Sequence, residues 1–291
     1  MRITSSILSH EAISGVQSQM RSIADAQRRI SSGKRVEHPS DDPIAAAGIL
    51  QSSSGLRALE QYRSNLEAGQ HRLSMEDSVL DQLTNTLSRA KELGVSQATD
   101  TASTSTRLAT REEVVQLRGF VEDLANTQFN GRYIFGGQYS DIPPFQAVVD
   151  PLKPPTGSAK IEIGAGLQAD TNHNAQEVFI DSDAVDALDA LATAMANDDV
   201  PGIEAALIRV DDAFQVIQET IGDLGGRMSR LDVGVTNLDS LEITLQTFRS
   251  DLADADLAEA VTDLVNRQGT LEAAMVANSR ILNMTLANYL R

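Results

Sequence analysis

Apolar residues recur every three or four positions over most of this chain, which is the period of an amphipathic helix and not the alternation of a strand. Ile13, Val16, Met20, Ile23 and Ile30 follow alternating steps of three and four, interrupted at Gln27. That spacing predicts a coiled-coil seam. A second series runs Leu59, Tyr62, Leu66, Leu73, Leu80, Leu83 and Leu87, with Gly69 and Glu76 as its weak members, and Val114, Leu117, Val121 and Leu124 form a short third. The longest extends from Ile203 through Leu207, Val210, Phe214, Ile217, Ile221, Leu224, Met228, Leu231, Val235 and Leu238 to Leu245 and Leu252. Leu257, Val261, Leu264, Leu271, Met275, Leu282, Leu286 and Tyr289 make up the last.

Capping chemistry agrees with several of these starts. Asp42-Pro43 sets an acceptor ahead of a proline at the first helical position. Thr110-Arg-Glu-Glu113 and Asp256-Leu-Ala-Glu259 have capping-box spacing, and Asp199-Val-Pro201 precedes the longest series. Five of the eight prolines fall between Pro143 and Pro155, after the clustered aromatics Tyr133, Phe135, Tyr139 and Phe145, and helical periodicity stops there. Lys160-Ile-Glu-Ile163 and Glu177-Val-Phe-Ile180 alternate instead, which predicts short strands of a small inserted domain. Asp181, Asp183, Asp186 and Asp189 crowd the next helix start, where the macrodipole favours negative charge. Their spacing lacks the ligand pattern and glycine of an EF-hand calcium loop.

The expected fold is therefore mainly α: a long antiparallel coiled-coil or bundle core built from both chain halves, with a small β-containing insert. Its expected parts are an amphipathic end helix over 1–32, a linker over 33–42, helical core over 43–139, a β-rich outer domain over 140–181, helical core again over 182–253, and a second end helix over 254–291. Thin apolar stripes on the two ends leave little margin over the entropy of ordering them, so both ends are expected to order on assembly.

Composition narrows the function. The 291 residues include no cysteine and no tryptophan, and 24 basic against 41 acidic side chains give a net charge of -17, which argues against a nucleic-acid surface. Residues 1–40 carry six basic and three acidic side chains, while 251–291 carry three and six; the ends are electrically complementary. No run is long and apolar enough to insert in a membrane, and the N-terminus lacks the apolar stretch of a cleaved secretory signal. His10, His38, His71 and His173 stand far apart in sequence with no ligand spacing, Gly33-Lys34 lacks the upstream glycine of a phosphate loop, and no Gly-x-Ser-x-Gly elbow occurs. Catalytic residues, cofactor and metal are expected to be absent, which leaves a structural or interaction role.

Three stretches carry a family resemblance. Ile30-Ser-Ser-Gly-Lys-Arg-Val-Glu-His-Pro-Ser-Asp-Asp-Pro-Ile-Ala-Ala-Ala47, Asn130-Gly-Arg-Tyr-Ile-Phe-Gly-Gly137 and Asn283-Met-Thr-Leu-Ala-Asn-Tyr-Leu290 resemble segments of the flagellin superfamily. The Pro-Ser-Asp-Asp-Pro form at Pro39 to Pro43 is similar to that of its hook-associated, hook-filament junction members. The resemblance implies an adaptor ring between a neighbouring hook-associated protein and flagellin, exported by the flagellar type III apparatus without a cleaved signal. It also implies a cytoplasmic export chaperone on the C-terminal region and an extracellular location in the flagellum. The end-helix residues from Ile13 to Ile30 and Leu257 to Tyr289 would bury their seams between subunits. Ser32, Gly33, Lys34, Arg35, Pro39, Asp41, Asp42 and Pro43 would form a spoke from inner tube to helical core. Asn130, Gly131, Arg132, Tyr133, Ile134, Phe135 and Gly136 would sit at the foot of the outer domain, which is short for the family. A filament subunit and a secreted coiled-coil effector or translocator remain the alternatives.

Overall fold

The structure is a computed structural model that describes the backbone of residues 5–99, 101–145 and 154–289. Its elements are α1 (Ser5–Ser32), α2 (Pro43–Gln97), α3 (Thr104–Ala125), β1 (Gln128–Phe129), β2 (Arg132–Tyr133), β3 (Lys160–Gly164), β4 (Leu167–Asp170), a π-helical turn (Gln176–Ile180), α4 (Ala184–Ala196), α5 (Val200–Ala253) and α6 (Leu257–Tyr289). The molecule is mainly α with a small β insert, and it divides into one compact unit of 1–58 with 241–291 and another of 59–240. Helices α2 and α5 contribute to both.

The 59–240 unit holds the large core. Leu66, Leu73, Leu80 and Leu87 on α2 and Ile203, Val210, Ile217, Leu224 and Leu231 on α5 repeat every seven residues, and none exposes any surface. Each such side chain contributes roughly 1.5–3 kcal/mol on burial. Gly234 lies against Leu66, Gly69 against Leu231 and Gly94 against Leu207, so α2 and α5 run antiparallel. Val114 and Val121 of α3 and Leu188, Leu191 and Met195 of α4 join the same cluster.

Three of the four predicted caps are made. Asp42 Oδ1 accepts from the N–H groups of Ile44 (3.1 Å) and Ala45 (3.0 Å), Asp199 Oδ1 from Gly202 (3.1 Å), and Asp256 Oδ1 from Ala258 (2.8 Å) and Glu259 (3.2 Å). The Thr110–Glu113 box is not a start. α3 begins at Thr104, capped by Ser103 Oγ on the Thr106 N–H at 3.2 Å, because Ser103 meets the same donor need about two turns earlier.

The insert corrects a second expectation. β3 occupies the predicted alternation and pairs antiparallel with β4, Ile161 opposite Ala169, around Gly166. Glu177-Val-Phe-Ile180 is no strand but most of the π-helical turn, closed by Asp181 N–H on Gln176 O at 2.7 Å. Val178 and Phe179 are both buried; two successive apolar residues bury together on a helical turn, whereas a strand sends them to opposite faces. Phe179 packs edge-on to Phe135, ring centroids 5.1 Å apart. Asp183 precedes α4 but its side chain makes no cap, since it is paired with Arg209 Nε (2.6 Å) and Nη2 (2.8 Å).

Candidate assembly interface

In the unit formed by 1–58 and 241–291, α1 packs on α6. Asn278 Nδ2 donates to Ala12 O at 3.2 Å, which fixes the faces that meet. A stripe of less exposed positions on α1 runs Ala12, Val16, Gln19, Ile23, Ala26 and Ile30, with Ser22 beside it; that on α6 runs Ala260, Leu264, Arg267, Leu271, Ala274 and Asn278, with Asp263 beside it. Both sets step by three and four.

The predicted seams thus split in two. Val16, Ile23 and Ile30 on α1 and Leu264 and Leu271 on α6 belong to the contact within the chain. Ile13 is 56% exposed and Met20 55%, while Leu257, Val261 and Met275 are 52%, 47% and 46% exposed, joined by Val265 and Val276. The physical reason is that small and polar residues, Ala26, Ala260 and Ala274 among them, line the inner stripe, where they let two helices approach closely. A pattern drawn from large apolar residues passes over them. Leu282, Leu286 and Tyr289 have side chains outside the described residues.

The spoke segment is stitched rather than loose. Gly33 turns the chain at φ +68°, a left-handed conformation that costs other L-residues about 1–2 kcal/mol. Its N–H bonds Arg29 O at 2.9 Å and its carbonyl accepts from Ala255 at 2.9 Å, and Lys34 forms an antiparallel bridge with Asp254. Arg35 N–H donates to Ala253 O at 2.7 Å and its Nη2 to Leu252 O at 2.8 Å, with Nη1 3.3 Å from Asp42 Oδ2. Ser32 Oγ accepts from Lys34 N–H at 3.3 Å. Around Pro39 the chain makes a turn in which Asp41 Oδ2 accepts from His38 (2.9 Å) and Glu37 (3.2 Å). Those backbone donors, His38 foremost, hold the Asp41 carboxyl below its ordinary range, and the Ala45 N–H does the same for Asp42. Val36, Ala45 and Ala46 form a small buried cluster beneath, with Ile49 and Leu252 against it. A groove of about 620 Å³ beside this bridge carries Arg29 and Arg35 together with Asp256, Glu259 and Asp263.

In the 59–240 unit, the foot residues form a two-residue hairpin. Asn130 and Gly131 both take positive φ, 51° and 75°, between β1 and β2, the turn that Asn-Gly favours. Ile134 and Phe135 are buried, and Gly136 lies under the Tyr139 carbonyl, where a Cβ would stand 2.8 Å from oxygen.

Beside them lies a network that linear spacing conceals. Glu76 on α2 is fully buried, with Oε1 2.5 Å from His173 Nδ1 and 3.1 Å from its backbone N–H. His173 Nε2 is 2.9 Å from Asp223 Oδ2, which also accepts from Arg227 Nε at 2.6 Å, and Arg227 Nη1 reaches Asn172 O at 2.7 Å. Burial works against a charged His173, but the Glu76 hydrogen bond and charge outweigh it, raising the imidazole pKa. Burial likewise opposes ionisation of Asp223, yet hydrogen bonds from Arg227 and His173 lower its pKa. The gaps in the α2 seam, Gly69 and Glu76, are where the insert docks: Gly69 leaves room for Ile161 and Thr171, and Glu76 holds His173. That signal was present in the sequence as two missing apolar residues.

The family profile described as the bacterial flagellin N-terminal helical region matches residues 3–140, and the bacterial flagellin C-terminal helical region matches 207–290. The chain is 27% identical over 305 residues to flagellar hook-associated protein 3 of Escherichia coli, covering 93% of this chain and 96% of that one. It is 26% identical to a flagellar filament 33 kDa core protein of Treponema phagedenis, with 93% of each covered. A solved structure described as a flagellar hook-associated protein from Vibrio parahaemolyticus superposes with a TM-score of 0.67 at 21% identity, over 74% of this chain and 100% of that one; this likeness is one of fold.

Proposed function

The chain belongs to the bacterial flagellin family, and on that premise we propose that it is a structural adaptor at the hook-filament junction, assembling as a ring between a hook-associated protein and flagellin. The family is one of structural flagellar proteins, which places the chain in the flagellum. The observation that carries the reading is the two-sided character of the terminal helices. One stripe of α1 and α6 is engaged within the chain, and a second, through Ile13, Met20, Leu257, Val261 and Met275, is apolar and uncovered. Such a surface suits heterologous contacts between copies, which close into rings or extend as helices. The spoke, built from Ser32 to Pro43, ties these helices to the stretches of α2 and α5 in the same unit. An export chaperone covering the C-terminal helix, and passage through the flagellar export apparatus, complete the proposal, since an exposed apolar stripe needs cover before assembly.

Deleting the gene and imaging the cells tests this. The expected outcome is hooks without filaments, with flagellin monomer in the medium; filaments of normal length would discard the junction role. Similarity to a filament core protein favours a filament subunit as the second reading. Purified protein that polymerises by itself into long tubes would establish it.

A further inference from the structure

We propose that a pocket at the foot of the insert binds an oxyanion, a carboxylate or phosphate group. The pocket, of about 320 Å³, lies within the 59–240 unit and is lined by Arg72, Arg132 and Lys160 beside apolar Phe129, Ile134 and Ile161. Three cations converge there with no carboxylate in the lining, although acidic residues outnumber basic ones by 41 to 24 in the chain. Among the described residues neither Arg132 nor Lys160 forms an ion pair.

Arg72 differs in kind from its two companions. Its Nη2 donates to Ile134 O at 3.0 Å, but its Nε is buried with no hydrogen-bond partner. Buried N–H groups are nearly always matched, so the unmatched Nε of Arg72, a residue of the pocket lining, calls for an acceptor. Burial pushes the Arg72 guanidinium below its ordinary range; Glu76 opposes this and the Arg132 charge adds to it. Glu76, held by His173 and outside the pocket lining, offsets the Arg72 charge in part. The guanidinium fork suits two oxygens of one anion, with Arg132 and Lys160 supplying charge at the rim. The apolar lining accommodates the carbon body of a carboxylate. One chemistry has two sources here, a free oxyanion or an Asp or Glu side chain of a second copy.

The full chain is titrated with inorganic phosphate at low ionic strength, following the Arg72 Nε resonance and the amides of β2 and β3. Saturable shifts are expected, with affinity falling about fivefold in each of Arg132→Gln and Lys160→Gln while both variants melt as the parent does. No saturable shift at Arg72, or unchanged affinity in both variants, would overturn the proposal. Sedimentation of the concentrated chain separates the sources. Self-association weakened by phosphate and by both variants assigns the site to a carboxylate of a second copy; self-association indifferent to both, with phosphate binding retained, assigns it to a free anion.

Discussion

Gly33 and His173 show how single residues set local behaviour. At Gly33 the space around the α-carbon is open, and only φ of +68° demands glycine. Gly33→Ala is expected to weaken the local structure by about 1 kcal/mol, read as faster amide exchange at Arg35 and Ala255, with Gly33→Asn less affected. At His173 both ring nitrogens face carboxylates, so the doubly protonated ring fits the site. A raised folded pKa means that its contribution is fully present below the unfolded value near 6.5 and is lost as pH rises through the folded value. Asp223, with a lowered pKa, contributes above its own unfolded value and loses that as pH falls. Urea unfolding followed by circular dichroism should therefore show stability declining from about pH 6 towards alkaline pH. His173→Gln should remove that decline and cost roughly 3 kcal/mol at pH 6, because Glu76 is left buried without its partner. A decline of the same size in the variant would refute the assignment. In the core, Leu83→Ala should cost about 3 kcal/mol, from a site with no exposed surface.

The two end helices were legible as amphipathic elements because a period near 3.5 survives any context. Which stripe faces the partner helix was not legible, because close helix approach selects alanines that carry no hydrophobic signal. The distinction separates two substitutions. Met275→Asp alters the uncovered stripe, so helix content and the α1–α6 pairing should persist while filament attachment and motility are lost. Leu271→Asp alters the stripe facing α1 and should in addition raise amide exchange in both helices. Motility unchanged in Met275→Asp would count against the proposed assembly surface. The predicted strand at Glu177 to Ile180 failed for a related reason: four residues of alternation do not decide which neighbours a side chain meets, and here Val178 and Phe179 bury together.

For the molecule as a whole, the apolar core is divided unequally. The 59–240 unit holds the extended cluster from Leu66 to Leu238, whereas among the described residues the buried cluster of the other unit is Val36, Ala45 and Ala46. Hydrogen exchange on the free chain should then show amides around Leu80–Leu87 and Ile217–Leu224 protected by orders of magnitude more than those of Ile13–Ile30. Strong protection of Ile13–Ile30 in the free chain would sink the idea that the ends order on assembly.

The sequence by itself determined the class and the axes of the fold. Heptad spacing, prolines and caps act over a few residues, so α1, α2, α5, α6 and β3 could be read from their own segments, and the Ser-Ser-Gly and Pro-Ser-Asp-Asp-Pro runs pointed to the family. Only the tertiary structure decided what lies between segments distant in the chain. Glu76 meets His173 across 97 residues, and Arg72 meets Arg132 and Lys160 at one pocket. In its own window Glu76 showed only as a gap in the seam and Arg72 showed nothing, because a buried charge network and a cationic pocket are properties of converging side chains, and convergence is set by packing.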